Sequence, residues 1–171
     1  CDLGLYQLLW PKKLTSGLMS NVCSNGNLEL VKWLRANGCP WNEDTFAFAA
    51  QNGHLEVLKW LRANGCPWTE LTCLCAVKNG HLEVIKWLIA NGCPWSEWSC
   101  VYAAKKGRLG VLKLLRVNDC PWNEGTCSYA TAGGHLEILK WAIENGCPYD
   151  LESLNLNGRN YPAIMEYLST L

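Results

Sequence analysis

A 27-residue repeat organises most of this chain. The segment NGHLEVLKWLRANGCPW at residues 52–68 occurs four more times, with substitutions, at the same spacing. The five copies occupy residues 25–41, 52–68, 79–95, 106–122 and 133–149. A fixed period of about 20–50 residues is typical of solenoid proteins, in which each unit buries its apolar face on its neighbours. The sequence therefore predicts a row of stacked units instead of one central core.

Each unit carries the start and stop signals of two short helices. Cys-Pro-Trp (Cys-Pro-Tyr in the last copy) is followed by a residue suited to capping a helix N-terminus, and in the four regular units glutamate comes next, which favours the positive end of the helix dipole. A glycine ends this first helix; the second begins at a His-Leu-Glu step and ends at Asn-Gly before Cys-Pro. We expect an all-α solenoid of helix-turn-helix repeats. The predicted N-caps are Asn42, Thr69, Ser96, Asn123 and Asp150.

The repeat boundaries predict one solenoid over residues 1–171. Its parts are a partial N-terminal helix (1–11), a degenerate repeat (12–38), four regular repeats (39–65, 66–92, 93–119 and 120–146) and a C-terminal cap (147–171). Atypical end units are expected because each has one face without a neighbour. The chain starts at Cys1 instead of Met, so we interpret it as a fragment or a processed product.

Eleven cysteines would suit the disulfide framework of a secreted protein. Five of them recur at one repeat position, however, and would stack at the roughly 8–10 Å spacing of packed helices. A disulfide needs Cα atoms within about 4.4–6.8 Å, so these neighbours are too far apart to bridge or to share a zinc ion. We expect reduced, buried cysteines and an intracellular, cytoplasmic protein. This cysteine ladder comprises Cys39, Cys66, Cys93, Cys120 and Cys147.

Tryptophan also recurs at two repeat positions. Such columns suit either a stacking platform for sugars or bases, or a packed core; their repetition favours the core, where burying an indole is strongly stabilising. A lysine column in the second helices is interpreted as a solvated face with Glu–Lys pairs. The tryptophan columns are Trp33, Trp60, Trp87 and Trp141, and Trp41, Trp68, Trp95 and Trp122; the lysines are Lys32, Lys59, Lys86, Lys113 and Lys140.

Nothing in the sequence predicts catalysis. His54, His81 and His135 share one repeat position, which Asn27 and Arg108 occupy in other units, so we expect a hydrogen-bonding residue at the turn between helices. No catalytic, metal-binding or cofactor-binding residue is assigned. The 15 basic and 15 acidic residues balance, which does not favour nucleic acid as a partner, and no apolar run is long enough to span a membrane.

Positions that differ between repeats are candidates for contact with a partner. Four positions of the first helix vary strongly and are spaced i, i+3, i+4 and i+7, which places them on one side of the helix. We call this side the first-helix face; ordinary drift of solvent-exposed residues is the alternative explanation. Trp98 stands out because it belongs to neither tryptophan column and because exposed tryptophan is enriched at interface hot spots. The predicted partner-binding residues are Asp44, Phe48, Gln51, Leu71, Leu74, Lys78, Trp98, Val101, Tyr102, Lys105 and Tyr129.

Several features of the unit together resemble the ankyrin repeat. They are Ala-Ala near the end of the first helix (Ala49-Ala50, Ala103-Ala104), the Asn-Gly-His-Leu-Glu-Val step and the Ala-Asn-Gly end, and they cover nearly all of residues 12–149. The unit is shorter than the roughly 33 residues of ankyrin and lacks its Thr-Pro-Leu-His signature. The resemblance implies stacked helix pairs without the long β-hairpin fingers. The short Cys-Pro-Trp form is similar to repeats of large DNA viruses, amoebae and unicellular algae.

The resemblance implies a non-catalytic protein–protein interaction module that binds its partner through the stacked first-helix (concave) face. The alternative is a structural subunit or scaffold segment held within a larger multi-protein assembly. Charge differs between neighbouring repeats: residues 93–119 carry five basic and two acidic residues, whereas 120–146 carry one basic and three acidic residues. This asymmetry is consistent with steering of a charged partner and, equally, with neutral drift.

Overall fold

The computed structural model describes residues 14–171, and this part of the chain is built of paired helices. Twelve helices and no strand are found in this range, which confirms the predicted all-α repeat architecture. The predicted helix at residues 1–11 lies outside the described residues. The helices are α1 (Ser16–Ser24), α2 (Leu28–Ala36), α3 (Glu43–Gln51), α4 (Leu55–Ala63), α5 (Glu70–Asn79), α6 (Leu82–Ala90), α7 (Glu97–Lys105), α8 (Leu109–Val117), α9 (Glu124–Ala132), α10 (Leu136–Glu144), α11 (Leu151–Gly158) and α12 (Pro162–Leu168).

The helices form two layers. The odd-numbered helices are the first helices of the units, and each packs on the first helix of the next unit, from α1 on α3 to α9 on α11. Each even-numbered helix packs on the first helix of its own unit. In α4, Val57, Leu58 and Leu61 are buried, whereas Glu56 and Lys59 are exposed. Burying each large apolar side chain contributes about 1.5–3 kcal/mol, so the stripe of apolar residues joins the two layers.

The first helices begin where the capping signals predict. Asn42 precedes α3, and its side-chain oxygen accepts a hydrogen bond from the backbone N–H of Thr45 at 3.3 Å. The Thr45 hydroxyl in turn accepts the backbone N–H of Asn42 at 3.2 Å, which completes a capping box. The predicted N-caps Thr69, Ser96, Asn123 and Asp150 likewise precede their helices.

The cysteine ladder joins consecutive units through thiol-to-carbonyl hydrogen bonds. The thiol of Cys66 donates to the carbonyl oxygen of Asn42 at 3.7 Å, and that of Cys147 donates to Asn123 at 3.4 Å. Cys39 and Cys120 make the same contact to the residue 24 positions earlier. Each bond ties the end of one second helix to the start of the preceding first helix, and the thiol adds a second hydrogen bond to a carbonyl that already accepts a backbone N–H of its own helix.

One ladder position differs from the expectation of reduced cysteines. The sulfur of Cys93 lies at bonding distance from that of Cys73 on α5, with the Cα atoms 6.8 Å apart. The expectation is wrong here because the spacing argument compared ladder cysteines only with one another. Cys73 lies 20 residues earlier, on the first helix α5, and does not belong to the ladder, but its sulfur contacts that of Cys93. The remaining eight cysteines between residues 14 and 171 are free.

The tryptophan columns are packing residues, as predicted. The ring of Trp41 packs edge-to-face on Trp60 of α4, with ring centroids 6.0 Å apart. The guanidinium of Arg35, at the end of α2, lies 4.0 Å from the Trp41 ring centroid. Trp41 thereby bridges two neighbouring second helices. The same edge-to-face contact joins Trp68 to Trp87 and Trp122 to Trp141.

Candidate functional site

The histidines hold neighbouring units together. The Nε2 of His54 hydrogen bonds to the carbonyl oxygen of Ser24 at 2.8 Å, and the Nε2 of His81 to that of Gln51 at 2.9 Å. Arg108 donates from the equivalent position to the carbonyl of Val77. These bonds confirm that the position serves hydrogen bonding, and they join each unit to the one before it.

The same contacts extend to the C-terminal end of the stack. His135 Nε2 lies 3.2 Å from the carbonyl oxygen of Lys105, and the hydroxyl of Tyr161 donates to Ala132 at 3.2 Å. No group of three or more His, Cys, Asp or Glu residues suited to a metal ion occurs within residues 14–171. The described histidine and tyrosine side chains at this position are therefore part of the repeat framework.

The first-helix face is continuous because the first helices lie side by side. Most of the predicted partner-binding residues are exposed on it, and Leu74 and Tyr102 are half-buried. Val101 differs: its side chain is only 2% exposed, because Val101 turns toward α9 at the base of a notch. It therefore forms the floor of the surface and does not project from it. The exposed residues are Asp44, Phe48, Gln51, Leu71, Lys78, Trp98, Lys105 and Tyr129.

Trp98 is the large aromatic residue that this face leaves most open to solvent. It lies in the first turn of α7, its side chain is 49% exposed, and its ring centroid is 6.5 Å from that of Tyr102. The two tryptophan columns, by contrast, pack against the core. Half of an indole therefore remains in water at a position where other repeats carry aspartate, leucine or glycine.

A notch lies beside Trp98, between α7 and α9. Its volume is about 450 Å³, and Trp98, Val101, Tyr129 and Pro148 line it. The notch exists because Gly125 occupies the position that Trp98 holds in the preceding unit and projects no side chain. Gly125 lies at one of the four variable positions of the first helix and is not among the predicted partner-binding residues. The change from tryptophan to glycine in adjacent copies was the available signal.

A second hollow lies at the opposite end of the face. Its volume is about 300 Å³, and Asp44 and Phe48 of α3 line it together with Ser20 and Asn21 of α1. Most of the residues that line it are serine, asparagine or aspartate, and Gln51 lies at the far end of α3. The two ends of the face therefore differ in their residues, with Trp98 and Tyr129 at the α7–α9 notch and mostly short polar side chains at the α1–α3 hollow.

The lysines of the face have no carboxylate partner among the described residues. The Nζ of Lys105 lies 4.9 Å from the ring centroid of Tyr129 and 5.8 Å from that of Tyr102. The Nζ of Lys78 lies 5.7 Å from the same Tyr102 ring. All four salt bridges found within residues 14–171 lie on second helices instead, where Lys32, Lys59, Lys86 and Lys140 pair with the glutamate three positions earlier.

The exposed Glu–Lys pairs of the lysine column were predicted and are found in four units. Lys59, for example, lies 2.7 Å from Glu56, and both side chains are largely exposed. Lys113 has no such partner because Gly110 replaces the glutamate. Pairs of this kind contribute a few tenths of a kcal/mol each, so they neutralise the second-helix surface more than they stabilise it. The first helices between residues 14 and 171, by contrast, carry unpaired charge of both signs, with carboxylates such as Glu97 and Glu124 in their first turns and Lys78 and Lys105 near the ends of α5 and α7.

No helix described between residues 14 and 171 is long and apolar enough to cross a bilayer.

A family model described as "Ankyrin repeats (3 copies)" matches residues 18–97. The structure is similar to a crystal structure of the human ASB11 ankyrin repeat domain, with a TM-score of 0.71 at 15% sequence identity. That match covers 89% of this chain and 82% of the other. None of the curated proteins compared matches this sequence.

Proposed function

We propose that this chain, whose residues 18–97 match the ankyrin-repeat model and whose fold resembles an ankyrin repeat domain, is a non-catalytic module that binds another protein through the first-helix face. Ankyrin repeats are generally protein–protein interaction modules. The likeness to the solved structure supports the fold alone, so the choice of face rests on this chain's own residues.

The observation that carries the proposal is the exposed, repeat-specific set of side chains around Trp98. Positions that serve stacking are occupied by similar residues in every unit, as the cysteine ladder and the tryptophan columns are. Trp98 is not required by that framework, yet half of its indole stays in contact with water. Tryptophan at the centre of an interface commonly contributes 2 kcal/mol or more when a partner buries it. Leu71 on the neighbouring α5 is 42% exposed and extends the apolar part of the face.

We propose an intracellular, cytoplasmic location, because eight described cysteines are free thiols instead of members of a disulfide framework. We also propose that the chain is a single solenoid whose units end at residues 38, 65, 92, 119 and 146. Each proposed unit contains one helix pair.

A second role, as a structural subunit of a larger assembly, is favoured by the last unit. Leu156 of α11 is 54% exposed and Leu151 is 39% exposed, which leaves an apolar surface on the last unit. Apolar surface of this kind often marks a contact with another protein. The two roles predict different surfaces, so substitution at each surface separates them.

The test compares the proteins retained by the wild-type chain with those retained by the double variant Trp98→Ala, Leu71→Ala. Quantitative affinity purification from cells is the measurement, and circular dichroism checks that each variant is folded. Val117→Ala is the control because Val117 is 82% exposed on α8, in the other layer. We expect the double variant to lose its partner and the control to keep it. Retention by the double variant, with loss in Leu151→Ala, Leu156→Ala, would favour the structural role.

A further inference from the structure

We propose that the groove between α7 and α9 binds an extended acidic peptide segment of a partner protein, anchored by one apolar side chain. This inference rests on the proposed function and names the chemistry of the partner at that site. It follows from three observations: an aromatic notch, unpaired lysines at the other end of the groove, and glutamates beside the notch.

The notch fits one apolar side chain. Trp98 and Tyr129 supply two aromatic walls, Val101 supplies an apolar floor, and Gly125 leaves the centre open. A volume of about 450 Å³ is ample for a leucine or phenylalanine side chain together with part of its backbone. Apolar contact there would cover the exposed half of the Trp98 indole, and such burial stabilises binding.

The other end of the groove is cationic. Lys105 lies seven residues after Trp98 on α7, which is about 10 Å along the helix axis. Its ammonium group lies over Tyr102 and Tyr129 without a carboxylate partner among the described residues. Lys78 reaches the same Tyr102 ring from α5. An extended chain advances about 3.3 Å per residue, so a carboxylate three residues from the anchor would meet Lys105.

Charge also sets the direction of the segment. Glu97 and Glu124 begin α7 and α9, so two exposed carboxylates lie at the notch end of the groove. An aspartate or glutamate of the partner would be repelled there and attracted at the Lys105 end. A nucleic-acid backbone, with one charge at every phosphate, would meet both glutamates, whereas a peptide with its carboxylates on one side of the anchor avoids them.

The experiment selects peptides from a phage-displayed random library on the folded full chain. We expect the selected sequences to share an apolar residue with aspartate or glutamate about three positions away. A fluorescein-labelled peptide of that consensus is then compared with its Glu→Gln counterpart by fluorescence anisotropy. Loss of one exposed charge pair should weaken binding about two- to fivefold, and Lys105→Gln should cause a similar loss that does not add to it.

Two substitutions test the anchor and one controls for charge. Trp98→Ala and Gly125→Leu should each weaken the consensus peptide about tenfold or more, the first by removing a wall and the second by filling the notch. A Cβ at Gly125 would lie 2.8 Å from Oδ1 of Asn123, so the Asn123 side chain must turn away from its N-cap hydrogen bond, and circular dichroism checks that this variant is folded. Lys113→Gln is the matched control, since Lys113 also lies over an aromatic ring, Trp141, without a salt bridge, but on the other layer. It should change binding less than twofold.

The outcomes separate this inference from the proposed function. Peptides that depend on Trp98 but bind equally well as Glu→Gln counterparts would overturn the acidic segment and leave the face as a protein-binding surface. Peptides unaffected by Trp98→Ala would overturn the binding of a peptide segment in this groove, and retention of the whole partner by Trp98→Ala, Leu71→Ala would overturn the face as well. Failure to select any peptide that competes at this groove would reject the peptide segment, while partner retention by whole-chain variants would still test the face.

Discussion

Alanine substitutions at two glycines measure how strongly the histidines join neighbouring units. Gly53 and Gly65 both lie in the repeat 39–65 and have nearly the same positive φ, 76° and 79°. A Cβ added at Gly65 would meet nothing within 4 Å, whereas one added at Gly53 would lie 2.6 Å from Nδ1 of His81. Backbone strain is therefore common to both substitutions, and the steric conflict with the next unit belongs to Gly53→Ala alone.

The expected costs follow from these contacts. An alanine held in the left-handed region costs about 1 kcal/mol, so Gly65→Ala should lower the free energy of unfolding by about that amount. At Gly53 the His81 ring must also move, which breaks its 2.9 Å hydrogen bond to the Gln51 carbonyl. The loss of that bond adds about 0.5–1.5 kcal/mol. Gly53→Ala should therefore cost about twice as much as Gly65→Ala.

Equilibrium unfolding in urea, followed by circular dichroism, measures both costs. The same two substitutions are then made in a His81→Ala background, where no ring opposes the new methyl group. The difference between Gly53 and Gly65 should disappear there, as a double-mutant cycle requires for direct contact. Equal costs in the wild-type background, or an excess at Gly53 that persists without His81, would refute the assignment of the histidine as the bond between units.

Three further predictions concern single residues. Asp119→Gly should raise the free energy of unfolding by about 0.5–1 kcal/mol in the same urea assay, because Asp119 has φ 57° where the other described units have glycine; a decrease would contradict this. Trp60→Ala should cost about 3 kcal/mol or more, whereas Trp98→Ala should change stability by less than about 0.5 kcal/mol, because only Trp60 packs between helices. Burial raises the pKa of the Cys66 thiol from 9.0 to about 12, so its contribution to stability, complete below about pH 9, should be lost as the pH rises toward 12. Cys66→Ala should make stability less dependent on pH in that window, and an unchanged dependence would refute the assignment.

The sequence predicts local structure well because the same signals recur in every unit. Helix starts at Asn42 and Asn123 follow from capping, and the packing of Trp60 and Trp87 follows from their recurrence. These features depend on residues a few positions apart, or on a period that the sequence displays directly.

The relations that the sequence does not reveal are contacts across units. His81 reaches a carbonyl 30 residues earlier, and the periodicity of the histidines does not say what lies opposite them. The approach of Cys73 to Cys93 and the burial of Val101 depend on which side of a helix faces its neighbour. The notch beside Trp98 depends on Gly125. Because glycine has no side chain that could contact a partner, the sequence does not mark it as a binding residue.

The hydrogen bonds between units have a consequence for how such a protein diversifies. His81 and His135 contact the main-chain carbonyls of Gln51 and Lys105, two residues whose side chains belong to the first-helix face. Every residue has a carbonyl oxygen, whatever its side chain. The histidine of one unit therefore hydrogen bonds to the backbone of the preceding unit and does not constrain the side chain of the residue that it contacts. Glutamine, lysine or alanine can then occupy the position without loss of the bond. New binding specificities can accumulate along the face one substitution at a time, on a framework that does not need to be adjusted for each of them.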